Sequence, residues 1–184
     1  MPSPIGHALG GVIVGLVAGA AGAAGAARAA GAIDWSFLTF CVVAACLPDI
    51  DFLWGRHNME THSLGFAVLV GLAVFAWRRS ASLAAACTIA VATHVLFDWL
   101  GSDDFPPLGV MAFWPLSHSF YFADAFVFEA ISRRYWLPGF VTHNLAAIAR
   151  EVAILLPIAG ALWWWRGVAG RGTKVPRYGR GSRD

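Results

Sequence analysis

Charge is scarce in this sequence. Asp, Glu, Lys and Arg make up 13% of its 184 residues, about half the share of an ordinary soluble domain. No charged side chain precedes Arg28, so the basic leader that opens a cleavable signal peptide is missing. Cysteine is sparse too. Cys41, Cys46 and Cys87 all fall in apolar runs, which excludes a disulfide framework or a cysteine zinc knot and leaves them as small core residues. A glycine-rich phosphate loop, a nucleophile elbow and a Ser-x-x-Lys pair are all absent, and with them the chemistries they carry. No heptad or internal repeat is present.

Apolar residues are what the chain has in excess: 58% of the total, with a mean hydropathy of +0.63. A soluble domain of this length needs far more polar surface. The expected fold is therefore all-α, an integral membrane helical bundle with about five transmembrane helices plus an interfacial or re-entrant helix. The spans are expected at Ala8–Ala27, Trp35–Leu47, Leu64–Trp77, Ala81–Leu100 and Pro138–Trp165. Gly11, Gly15 and Gly19 recur every fourth residue in the first, a spacing that lets a second helix approach closely. Pro48 is expected to end the second. The aromatic and acidic segment Ser119–Ser132 is assigned to the interfacial or re-entrant helix. Residues 1–165 form the membrane-embedded domain. Residues 166–184 form a basic tail, expected to be disordered and cytoplasmic, with Arg166, Arg171, Lys174, Arg177, Arg180 and Arg183. Stacking aromatics are not interleaved with these cations beyond Tyr178, so no nucleic-acid partner is expected.

The scarce polar groups are concentrated. Between Leu47 and Ser63 stand Asp49, Asp51, His57, Glu60 and His62. Carboxylate oxygens and imidazole nitrogens are what a zinc-like divalent ion binds. His94 and Asp98 are four apart on one helical face and can grip one ion, or else form a buried hydrogen bond that staples helices. His7 opens the first span, where an interfacial histidine is the plainer reading. With alternating spans, His7, Asp49, Asp51, His57, His62, His94 and Asp98 all fall at one membrane face. Arg28, Arg78 and Arg79 fall at the other, which the positive-inside rule makes cytoplasmic. The candidate ligands then face the exterior, periplasmic in a bacterial inner membrane. Asp103 and Asp104 read as capping or solvated groups, and His118 as an interfacial residue. Arg150 and Glu151 read as members of structural ion pairs.

Two ions bridged by a carboxylate, or one, would suit this donor set. Paired metals serve phosphoester cleavage, with Asp51 or Glu60 as general base and His57 as a further proton carrier. The expected partner is a phosphoester of a membrane lipid or envelope component. The alternative is a membrane metal-binding or transport protein, which would place its ligands near the bilayer midplane.

Four motifs in order carry a resemblance: Pro48-Asp-Ile-Asp51; His57-x-x-x-Thr61-His62-Ser63; His94-x-x-x-Asp98; and Gly109-Val-Met-Ala-Phe-Trp-Pro-Leu-Ser117. With the opening Pro4-Ile-Gly-His7, they resemble the YdjM-type membrane-bound metal-dependent hydrolases. That family is held to be distantly similar to the zinc-dependent phospholipase C and P1 nuclease group. The resemblance implies an all-helical hydrolase with one or two divalent ions, zinc first among them. Its ligands would be His7, Asp49 or Asp51, His62, His94 and Asp98. Asn58-Met59 stand where the family usually has Arg-Gly, and Arg56 is the nearby cation.

Overall fold

The structure is a computed structural model that describes residues 1–20, 33–54, 58–103, 106–123 and 125–172. Arg28, Arg56, His57, Asp104, Asp124 and the tail beyond Gly172 lie outside the described residues. Among the described residues five α-helices follow in order: α1 (Pro4–Ala20), α2 (Trp35–Cys46), α3 (Leu64–Arg78), α4 (Ala81–Leu100) and α5 (Phe140–Gly172), with a 3-10 segment Leu47–Trp54 after α2. No strand occurs among the described residues. The all-helical expectation holds.

Among the described residues, three apolar helical stretches have the length to cross a membrane: Trp35–Leu53, Ala81–Leu100 and Phe140–Val168. Pro4–Ala20 and Leu64–Arg78 are apolar but shorter, so five full spans are not established. Helix α2 ends at Cys46 with Leu47 as its C-cap, so Pro48 follows the end of the α-helix as expected but does not end the apolar stretch. It sits in the first turn of the 3-10 segment, where its missing N–H costs little, and the stretch runs on to Leu53. Polar side chains start the helices. Asp34 accepts from Phe37 N at 3.2 Å, Ser63 from Phe66 N at 3.0 Å and Ser80 from Leu83 N at 3.3 Å. Each satisfies an N–H that the first turn leaves without a helical partner.

Helix α1 packs on α2, α4 and α5, while α4 also packs on α2 and α3. The core between α1, α2 and α4 includes Val14, Cys41, Ala45, Cys87, Ala90 and Val91. Two of the α1 glycines let α2 in. A Cβ at Gly11 would stand 2.6 Å from Val42 Cα, and one at Gly15 would stand 2.6 Å from Leu38 Cδ1. Gly19 instead faces Arg166. Helix α5 runs past the boundary expected at 166, and Arg166 is buried against α1 with Nη1 donating to Leu16 O at 3.4 Å.

The interfacial or re-entrant helix expected at Ser119–Ser132 is not formed. Its described residues run as an irregular strap instead. Tyr121 pairs with Val110, and Phe128 with Gly101, as isolated β-bridges. Val127 N donates to Leu100 O at 2.9 Å, and Ser102 N to Phe128 O at 2.9 Å. The strap's amides thus use the carbonyls freed at the end of α4 and the loop beyond it, so no i→i−4 ladder is needed to satisfy them. Arg150 ties the strap to α5 through Phe126 O at 2.6 Å and Glu129 at 3.4 Å.

Candidate metal centre

The 3-10 turn after α2 brings Asp49 and Asp51 to the mouth of the bundle, and the turn before α3 brings His62. Helix α4 presents His94 and Asp98 one turn apart. Helix α1 presents His7. All six converge at one end. His7, Asp51, His62, His94 and Asp98 are buried, and only Asp49 keeps appreciable exposure, at 19%.

Ligand atoms meet in two overlapping groups, His7–His94–Asp98 and Asp49–His62–His94, each within 4.8 Å. His94 Nε2 lies 3.0 Å from Asp98 Oδ2 and 3.7 Å from Asp49 Oδ1. His62 Nε2 lies 3.5 Å from Asp98 Oδ2 and 3.6 Å from Asp49 Oδ1. A tetrahedral ion with bonds near 2.1 Å holds its ligand atoms about 3.4 Å apart. The four separations bracket that value. His94 Nε2 and Asp98 Oδ2 are buried and lack hydrogen-bond partners, although they face each other. Buried polar atoms are rarely left so, and a shared cation is what such atoms fit. Each of the two groups could hold a divalent ion, and His94 is common to both.

The neighbours of this set fix its tautomers. His94 Nδ1 lies 2.7 Å from Ala45 O, so Nδ1–H donates there and Nε2 keeps its lone pair. His62 Nδ1 lies 3.2 Å from Asp51 Oδ2, and Thr61 Oγ1 donates to the same oxygen at 2.9 Å. Asp51 thus stands behind the His62 ring, on the side away from the converging atoms, as the carboxylate of a carboxylate–histidine–metal arrangement. His7 stacks on His94 with ring centroids 3.6 Å apart, and its Nε2 lies 3.4 Å from Asp98 Oδ1. It thus approaches a different Asp98 oxygen from the Oδ2 that faces His94. Glu60 is half-buried, and its carboxylate is not in either converging group.

Burial opposes charge on His62, but the Asp49 and Asp51 carboxylates, with Asp98, outweigh it and raise its pKa to about 9. The other two described histidines lie outside both groups. His118 is exposed, and His143 Nε2 meets Ala130 O at 2.8 Å. Glu151 is buried and accepts from Ser3 N at 2.7 Å and from the Ser3 hydroxyl. It anchors the start of α1 and hence His7.

The segment Gly109–Ser117 supplies no ligand to the two groups. It holds the His62 turn. Leu64 N donates to Ala112 O at 2.9 Å, Gly65 N to Trp114 O at 3.2 Å, and Met111 N to Asn58 O at 3.1 Å. A side chain at Gly65 would collide with the Trp114 carbonyl. Thr61 and the Ala45 carbonyl were not foreseen as parts of the site. The Thr-His pairing held a signal for the first. The second is a backbone atom and leaves none in sequence.

The description of the YdjM inner membrane protein family matches residues 1–172. The chain belongs to that family. No curated protein and no solved structure matches it. The YdjM match spans every element that contributes to the centre, and it agrees with the membrane-length helices.

Proposed function

We propose that the protein is a membrane-bound metal-dependent hydrolase acting on a phosphoester of a lipid or envelope component. One observation carries the reading: His94 Nε2 and Asp98 Oδ2, buried and without hydrogen bonds, face each other within the Asp49–His62 frame. His62, His94, Asp49 and Asp98 would hold the ion, and zinc suits this nitrogen and oxygen set. When bound, such an ion lowers the pKa of water and offsets charge on a phosphoryl oxygen.

The chain's own groups do the rest. The Ala45 carbonyl and the Asp51 carboxylate orient His94 and His62. His7 steadies Asp98 through Oδ1. Asp49, the most exposed member, lines the approach from outside. Asp51 acts as a positioning residue, not as the base. Glu60, on the same turn as His62, is the carboxylate assigned to accept a proton. The site is assigned to the periplasmic face, with Arg78 and Arg79 on the cytoplasmic side.

Detergent-purified protein should carry one divalent ion per chain. Asp98→Ala and His94→Ala should abolish it. The loaded protein should cleave a generic phosphodiester and stop on chelation. Metal bound with phosphodiesters, phosphomonoesters and acyl esters all left intact would instead make this a metal-binding protein.

A further inference from the structure

Arg133 and Arg134 stand at the metal end of the bundle, opposite Arg78 and Arg79. Cations in membrane proteins gather on one side, so this pair needs its own reason. Both line a cavity of about 170 Å³ shared with Asp103 and Trp136, room for about half a dozen waters at ~30 Å³ each. The Arg133 guanidinium lies over the Phe52 ring, 4.4 Å from its centroid. Phe52 belongs to the same 3-10 segment as Asp49 and Asp51. A guanidinium held on an aromatic face keeps its N–H edge for oxyanions, and no carboxylate pairs with Arg133 among the described residues. Asp103 is half-buried beside it, with Oδ2 fixed by the Gly109 N–H at 3.0 Å.

Opposite charges and an indole in one small cavity complement a zwitterion. We propose that this cavity is a headgroup subsite for a phosphodiester bearing a primary ammonium, the chemistry of an ethanolamine phospholipid. Arg133, with Arg134, takes the phosphate. Asp103 takes the ammonium, and the Trp136 face adds a cation–π contact. The cavity is too small for acyl chains, which stay in the bilayer. The subsite rests on the hydrolase reading only for what becomes of the bound headgroup.

The test is calorimetric binding to full-length protein, both metal-loaded and chelator-treated. Glycerophosphoethanolamine is compared with glycerophosphoglycerol, an equal phosphodiester without the ammonium. The first should bind at least tenfold more tightly. Arg133→Ala should weaken both by at least tenfold with bound metal unchanged. Asp103→Asn is nearly isosteric, keeps an acceptor for Gly109 N–H, and should erase the preference. Retention of phosphatidylethanolamine over phosphatidylglycerol in native mass spectra identifies the lipid as the source, whereas binding of the soluble headgroup alone identifies a soluble phosphodiester. Equal binding of the two headgroups, a preference that survives Asp103→Asn, or unchanged binding by Arg133→Ala overturns the subsite. Binding without hydrolysis leaves it standing and removes the hydrolase.

Discussion

At the residue scale, the proposed centre separates groups that would touch an ion from groups that would aim them. Asp98 and His94 converge on it, so Asp98→Asn should reduce bound metal to background in elemental analysis. Asp51 acts through His62, so Asp51→Asn should retain metal but weaken its affinity by about 10–100-fold, read by competition with a chelating dye. His62 sets the pH response. In metal-free protein its pKa stands at about 9, above the ordinary 6.5. Its contribution to stability is therefore complete below pH 6.5 and is lost as pH rises through about 9. Metal must displace that proton. Binding at pH 7 should release about one proton, and affinity should fall about tenfold per unit as pH drops below 9. Calorimetry in buffers of different ionisation enthalpy measures both. Most of these donors are legible in the sequence, because ionisable groups stand out against an apolar background. What is not legible is which oxygen or nitrogen faces inward. Asp49 and Asp51 are equivalent on paper, and only the 3-10 turn puts one before the His62 ring and the other behind it.

At the element scale, α1 is placed by what it lacks. Gly11 and Gly15 let α2 approach, and this contact and the Ser3–Glu151 anchor set the height of His7. Gly11→Leu should drive a side chain into Val42 and the Cys41 carbonyl. We expect a loss of about 1–3 kcal/mol for such overpacking, seen as a lower midpoint in thermal unfolding in detergent. The four-residue glycine spacing signals a close approach without naming the partner. The strap at 119–132 is the element that composition misassigns. Its apolar residues suggest a helix, but the end of α4 offers free carbonyls and the strap takes them. Periodicity says nothing about an acceptor supplied by a distant part of the chain. Pro48 reads as a stop, and α2 does end before it, but the 3-10 turn that follows with its two carboxylates is not legible.

At the scale of the whole molecule, donors from α1, the 3-10 turn, the α3 approach and α4 meet at one end. This is what alternating helices predict and what spacing within any single motif does not. The sidedness proposed above, with Arg78 and Arg79 cytoplasmic, is open to a direct test. Cysteine substituted at His118 should react with an impermeant maleimide added outside intact bacterial cells, while one at Arg79 should react only after permeabilisation. Labelling of both from the same side would contradict the assigned sidedness. The family match over residues 1–172 covers this entire frame.

Every donor in the converging groups lies between His7 and Asp98, whereas α5 begins only at Phe140. The groups that meet there therefore all precede α5 in the chain. Glu151 comes from α5 and closes on Ser3, latching from behind a centre made of earlier residues.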